Sequence, residues 1–184
     1  FMSKIKLFDL SVDDSEKSAL NQTFDSHFWA SGSGIGNVKK FEDNFCKYVG
    51  SKSCIAVNSG TAALNLALSV YDIKNKEVIL PSLSFVSTAH AVIENGGIPV
   101  FADIDKQTLC IDPIEIRKLI SKKTKIILPV DYAGLPANLN EIKKICKENN
   151  LHLIEDAAHA SGSTYQNKLI GSHSDLVCFS FHPV

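Results

Sequence analysis

The chain has 184 residues, of which 45% are hydrophobic and 21% charged, with a formal net charge of −1. That length supports one domain with a substantial core, and the balanced charge excludes a general nucleic-acid binder that works through a basic surface. No apolar run approaches the roughly 20 residues of a membrane span, and FMSKIKLFDL lacks the apolar stretch and cleavage site of a signal peptide.

The first thirty residues are mixed and polar, and SGSGIG follows at 31–36. No strand precedes those glycines and no GK[ST] ends them, so they read as a flexible loop leading into the domain rather than a phosphate loop. Val38, Phe41, Phe45 and Tyr48 fall at helical spacing and predict an amphipathic helix over 38–49, closed by Gly50. SCIAV at 53–57 reads as a short apolar strand, and the Ala- and Leu-rich stretch 60–71 as a buried helix. EVILP at 77–81 reads as a strand, FVSTAHAVIE at 85–94 as a helix stopped by Gly96-Gly97, and PVFADI as the next strand.

Asp112, Pro113 and Glu115 then mark a helix start, with Asp112 as cap and Glu115 placed for a capping box. KIILPV at 125–130 is a predicted strand, and Asn138 with Glu141 repeats the capping pattern ahead of a helix to about Asn149. LHLIED and DLVCFSF, the latter at 175–181, are the last two predicted strands. Short continuous apolar strands separated by helices of about ten residues imply a mainly parallel sheet covered on both faces, a three-layer α/β/α fold. The five cysteines, Cys46, Cys54, Cys110, Cys146 and Cys178, are odd in number and form no CxxC pair. They argue against a disulfide framework or a zinc site and fit a reducing cytoplasm.

Ligands of such sheets gather at the carboxyl ends of the strands, which singles out three segments. In Asn58-Ser59-Gly60-Thr61-Ala62, Gly60 permits close backbone approach and the free N–H groups of a helix start face an anion; equally, Ser59 or Thr61 simply caps the helix. Asp156 in Glu155-Asp156-Ala157-Ala158-His159 ends an apolar strand, where a carboxylate needs a partner, either a cationic ligand or the backbone of the following turn. Ser180 lies at the end of the last strand. The spacing of His159, His173 and His182 matches no zinc pattern, so no metal is expected.

Taken in order, six segments resemble the DegT/StrS family of nucleotide-sugar aminotransferases, which use pyridoxal phosphate (PLP) on fold type I. They are SGTAAL at 59–64, LPSLSFVSTAHAV at 80–92, GGIPVFADID at 96–105, PVDYAGLPANL at 129–139, LIEDAAHASGSTYQNKLIGSHSD at 153–175 and CFSFHPV at 178–184. The resemblance implies an N-terminal segment and loop over 1–37 and a PLP-binding large domain over 38–184. It implies that Gly60, Thr61, Ala62 and Ser180 hold the cofactor phosphate and that Phe85 stacks on its ring; from the residues alone Phe85 reads as core. It further implies that Asp156 pairs with the pyridine nitrogen and that His159 lies near the phenolic oxygen. Ser31 and Gly32 are implied sugar contacts, and the Schiff-base lysine is expected immediately after Val184. The implied reaction moves an amino group, with glutamate as the usual donor, to a nucleotide-linked keto sugar, in a homodimer. The PVDYAG and SFHPV variants resemble members that aminate UDP-linked 4-keto-6-deoxy-N-acetylhexosamines. Two other readings stay open: a sugar 3-dehydratase of the same family, in which histidine replaces the lysine, and a non-catalytic PLP-binding or regulatory protein.

Overall fold

The computed structural model describes residues 12–29 and 36–182. Its helices are α1 (Asp14–Asp25), α2 (Gly36–Val49), α3 (Gly60–Ser69), α4 (Val86–Glu94), α5 (Pro113–Leu119) and α6 (Leu139–Asn149). Its strands are β1 (Glu77–Pro81), β2 (Ile98–Ala102), β3 (Thr124–Ile127), β4 (His152–Asp156), β5 (Thr164–Tyr165), β6 (Lys168–Leu169) and β7 (Leu176–Cys178). Five strands form one parallel sheet in the order β2-β1-β3-β4-β7, while β5 and β6 make a separate antiparallel hairpin.

The central strands β1, β3 and β4 carry apolar residues at successive positions because both faces of the sheet are covered there. Ile79, Ile127 and Leu153 point into a core shared with Ile116 of α5 and Leu139, Ile142 and Ile145 of α6. Val78, Leu80, Ile126 and Ile154 point the other way, onto Leu64 and Leu68 of α3 and Val92 of α4. The period-2 alternation of each strand thus feeds two helical layers, which is the predicted three-layer α/β/α arrangement. The chain runs from β1 out to β2, then crosses back past β1 to β3 and on to β4 and β7. The direction reverses between β1 and β3, so a ligand crevice is expected beyond their carboxyl ends.

Local signals explain most helix starts. Asp112 accepts from the Ile114 N–H at 2.8 Å, with Pro113 at the first turn. Asn138 accepts from the Glu141 N–H at 3.4 Å, and α6 ends at Asn150 in the left-handed region. Neither capping box closes, however. Glu115 pairs with Lys118 and Glu141 with Arg117, because opposite charge on the exposed face outcompetes the backbone N–H.

Three departures from the sequence reading stand out. The polar N-terminal region contains α1, whose Asp13 and Glu16 make the complete capping box that the later helices lack. Residues 164–169 form the β5–β6 hairpin around Gln166 and Asn167, both at positive φ. SCIAV forms no strand here: residues 53–57 have no ladder partner among the described residues, and Ile55 is 69% exposed. A groove of about 1250 Å³ separates this segment from 174–182, so its apolar side chains face open space where a pairing edge is needed.

Candidate functional site

The groups singled out in the sequence lie at the carboxyl ends of β4 and β7 and at the N-termini of α3 and α4. At the start of α3, Ser59 Oγ accepts from the Ala62 N–H at 3.1 Å, so the capping reading of this segment is realised. The cap leaves the Gly60 and Thr61 N–H groups without an acceptor among the described residues. Gly60 packs against the last strand's extension: a Cβ built there lies 3.0 Å from Ser180 Cβ and 3.3 Å from Ser180 Oγ. Glycine at 60 is therefore what lets the Ser180 hydroxyl approach the first turn of α3. The arrangement is two free N–H donors, a hydroxyl and a helix N-terminus, which suits an anion.

Asp156 ends β4 and is 4% exposed. Its Oδ2 accepts from Thr88 Oγ1 at 2.9 Å and its Oδ1 from the Ala158 N–H at 3.2 Å. Burial pushes this carboxyl above the usual carboxylate range, and the two neutral donors and His159 oppose the rise only in part. No ion pair among the described residues includes Asp156. A buried carboxylate served only by neutral donors is a site for a cationic nitrogen.

His159 is exposed, beside the turn that follows β3. Its Nδ1 accepts from the Ala133 N–H at 3.3 Å, and the Tyr132 ring stands edge-on at 5.9 Å. With Nδ1 so occupied, the neutral ring carries its proton on Nε2. Phe85 is the N-cap residue of α4 and is 71% exposed, which corrects the plain reading of it as core. Its carbonyl accepts from the Thr88 N–H at 3.1 Å, so one helical turn joins the exposed ring to the hydroxyl that holds Asp156.

The structure therefore brings Gly60, Thr61 and Ser180 together, and joins Asp156, His159 and, through Thr88, Phe85. Ser31 and Gly32 lie outside the described residues. Three further residues escaped the sequence reading. Thr88 lies on the buried face of α4 with Ala91 and Val92, and a polar residue at that spacing in FVSTAHAVIE was its signal. Asp131 and Glu155 are fully buried beside Asp156, and their signal was a carboxylate at the end of an apolar strand.

The model of the DegT/DnrJ/EryC1/StrS aminotransferase family matches residues 11–184. The chain belongs to that family. Among curated relatives, GDP-perosamine synthase of Vibrio cholerae is 33% identical over 178 residues, 96% of this chain and 48% of that protein. Among solved structures, Helicobacter pylori PseC, an aminotransferase involved in the biosynthesis of pseudoaminic acid, superposes with a TM-score of 0.90 at 33% identity. The match covers 99% of this chain and 49% of PseC. Spr1654 of Streptococcus pneumoniae, in its PLP form, gives a TM-score of 0.90 at 28% identity, over 99% of this chain and 50% of that one. The chain spans less than half the length of the curated relatives it matches. Its sheet and strand-end site accord with DegT/DnrJ/EryC1/StrS membership, and no described helix is long and apolar enough to cross a membrane.

Proposed function

We propose that the chain is the cofactor-binding portion of a PLP-dependent aminotransferase that acts on a nucleotide-linked keto sugar. The observation that carries this reading is Asp156, a buried strand-end carboxylate held by neutral donors, on the same sheet edge as an anion cradle. PLP has both complements, a basic ring nitrogen and a phosphate. Bound PLP supplies an electron sink for charge that develops at the carbon bearing the migrating amino group.

The residues divide the work of holding it. The Gly60 and Thr61 N–H groups, the Ala62 N–H shared with Ser59, and the Ser180 hydroxyl receive the phosphate. Asp156, oriented by Thr88 and the Ala158 N–H, keeps a proton on the ring nitrogen by offering it a full negative charge. Phe85 covers a ring face and limits its tilt. His159 directs its Nε2–H toward the phenolic oxygen.

The similarity to PseC and to GDP-perosamine synthase supports an amino-sugar product. Glutamate as donor, a UDP-linked 4-keto-6-deoxy-N-acetylhexosamine as acceptor and a homodimeric assembly complete the proposal, as does a lysine directly after Val184 that acts as cofactor anchor and general base. The test is optical. Full-length protein loaded with PLP should lose its visible band on addition of glutamate and regain it with a keto-sugar nucleotide. A spectrum that glutamate leaves unchanged removes the aminotransferase reading.

A further inference from the structure

Asp131 and Glu155 are both fully buried, at the carboxyl ends of adjacent parallel segments. Val130 bridges to Asp156, the Asp131 N–H donates to the Asp156 carbonyl at 3.0 Å, and the Asp156 N–H donates to the Pro129 carbonyl at 2.9 Å. Each carboxyl has one satisfied oxygen. Asp131 Oδ1 accepts from the Ala137 N–H at 2.9 Å, and Glu155 Oε2 accepts from Ser174 Oγ. The other oxygens, Asp131 Oδ2 and Glu155 Oε1, are buried and have no donor among the described residues. No ion pair of the described residues includes either side chain, and no group of three or more His, Cys, Asp or Glu there could hold a metal.

Two ionised carboxylates side by side at full burial repel strongly and are costly to desolvate, and two acceptors without a protein donor add to the cost. A single proton removes both problems. We propose that Asp131 and Glu155 share one proton, with Asp131 Oδ2 donating to Glu155 Oε1, and that this pair is a positioning device for Asp156 and His159. The pair stitches the turn after β3 to the carboxyl end of β4. Asp131 opens that turn, Ala133 sits in its left-handed region at φ 52°, and the Ala133 N–H is the donor to His159. Ser163 Oγ closes the same seam on the Gly134 carbonyl at 2.7 Å.

The electrostatics agree with the geometry. Burial first, then the Glu155 charge and the hydrogen bond to Glu155, push the Asp131 carboxyl up to about 9, with Asp156 adding to the rise and the Ala137 N–H opposing it. The other titratable groups at the pair are the Cys110 thiol, which senses the Asp131 charge, and the Cys178 thiol, which senses Glu155 and Asp156. His159 acts on Asp156 through its charge, opposing the rise of that carboxyl. The pair's consequence for Asp156 rests on the PLP reading; its existence does not.

The experiment uses full-length apoprotein with Asp131→Asn and Asp131→Ala. The Asn amide donates to Glu155 and accepts from the Ala137 N–H, but has no proton to release. At neutral pH, infrared spectra of wild type minus Asp131→Asn should contain a protonated-carboxyl C=O band that shifts with carbon-13 aspartate. PLP titration should then find Asp131→Asn within about threefold of wild type and Asp131→Ala weaker by about tenfold or more, the scale of one stranded buried acceptor. Absence of the infrared band overturns the shared proton whatever the cofactor does. An Asn variant that binds PLP as poorly as the Ala variant, with the band in place, overturns the positioning role. If Asp131→Ala does not fold, the Asn comparison and the band decide alone. Failure of wild type to bind PLP at all speaks against the proposed function and leaves the infrared result standing.

Discussion

Asp156→Asn should separate the stability of the fold from its capacity to hold a cofactor. In the protein as it stands, the Asn side chain can keep both hydrogen bonds of the aspartate. Oδ1 still accepts from the Ala158 N–H, and Nδ2 faces Thr88 Oγ1, whose hydroxyl rotates to accept. The substitution deletes a buried charge that no Lys or Arg balances among the described residues. Folding stability of the apoprotein should therefore change by less than about 1 kcal/mol or rise.

The sign with pH follows from burial, which raises the Asp156 carboxyl above its unfolded value. Protonated Asp156 contributes stability that is full below the unfolded carboxyl range and is lost as pH rises through the folded value. The Asn variant has no such loss, so its advantage over wild type should widen as pH increases. Cofactor binding should move the opposite way. A charged hydrogen bond to the ring nitrogen becomes a neutral one, a difference of about 1–2 kcal/mol, or roughly 5- to 30-fold in PLP affinity. Loss of the ring proton should slow the glutamate half-reaction by at least about a hundredfold. Chemical denaturation of apoprotein at several pH values, PLP titration by absorbance and single-turnover reaction with glutamate read the three quantities in the full-length protein. Near-normal turnover, or a loss of stability in step with the loss of affinity, would refute the assigned role.

Three other substitutions test separate parts of the structure. Gly60→Ala places a methyl 3.0 Å from Ser180 Cβ; it should leave folding within about 1 kcal/mol, since Ala favours helix, yet weaken PLP by about tenfold as Ser180 is displaced. Unchanged PLP affinity in that variant removes Ser180 from the cradle. Thr88→Val conserves shape but strands Asp156 Oδ2; denaturation should report a loss of about 1–3 kcal/mol at neutral pH that shrinks on acidification, when the carboxyl is protonated. Gly171→Ala combines φ 133° with a Cβ 2.5 Å from Val49 Cβ. It should cost about 1–3 kcal/mol of stability while the PLP bound per folded molecule stays the same, so a selective loss of cofactor there points to a wider site.

The parts of the fold legible in the sequence are those set by local chemistry. EVILP, KIILPV and LHLIED read as strands because their apolar runs are continuous, and Asp112-Pro113 and Asn138 read as helix starts because their side chains cap the next turn. The α1 cap is equally legible in Asp13-x-x-Glu16, but the polar residues around it supply no apolar face that would mark the helix. SCIAV is the counter-case: its composition suits a strand, but a strand exists only where another edge offers hydrogen bonds, and none of the described residues places one beside it.

The same division runs through the site. Asp156 and Ser180 could be named from the sequence because each closes an apolar run at a strand end, and Gly60 because it opens a buried helix; family resemblance supplied a ligand for them. Which N–H groups remain free after Ser59 caps α3 is decided by three-dimensional geometry, as is the Thr88 hydrogen bond to Asp156 across 68 positions of chain. The clearest case is Asp131 and Glu155. Each by itself is an ordinary acidic residue after an apolar run. Only the parallel packing of adjacent segments brings two carboxyls into one buried space, where charge and hydrogen bonding both call for a proton that neither residue would hold at neutral pH in the unfolded chain.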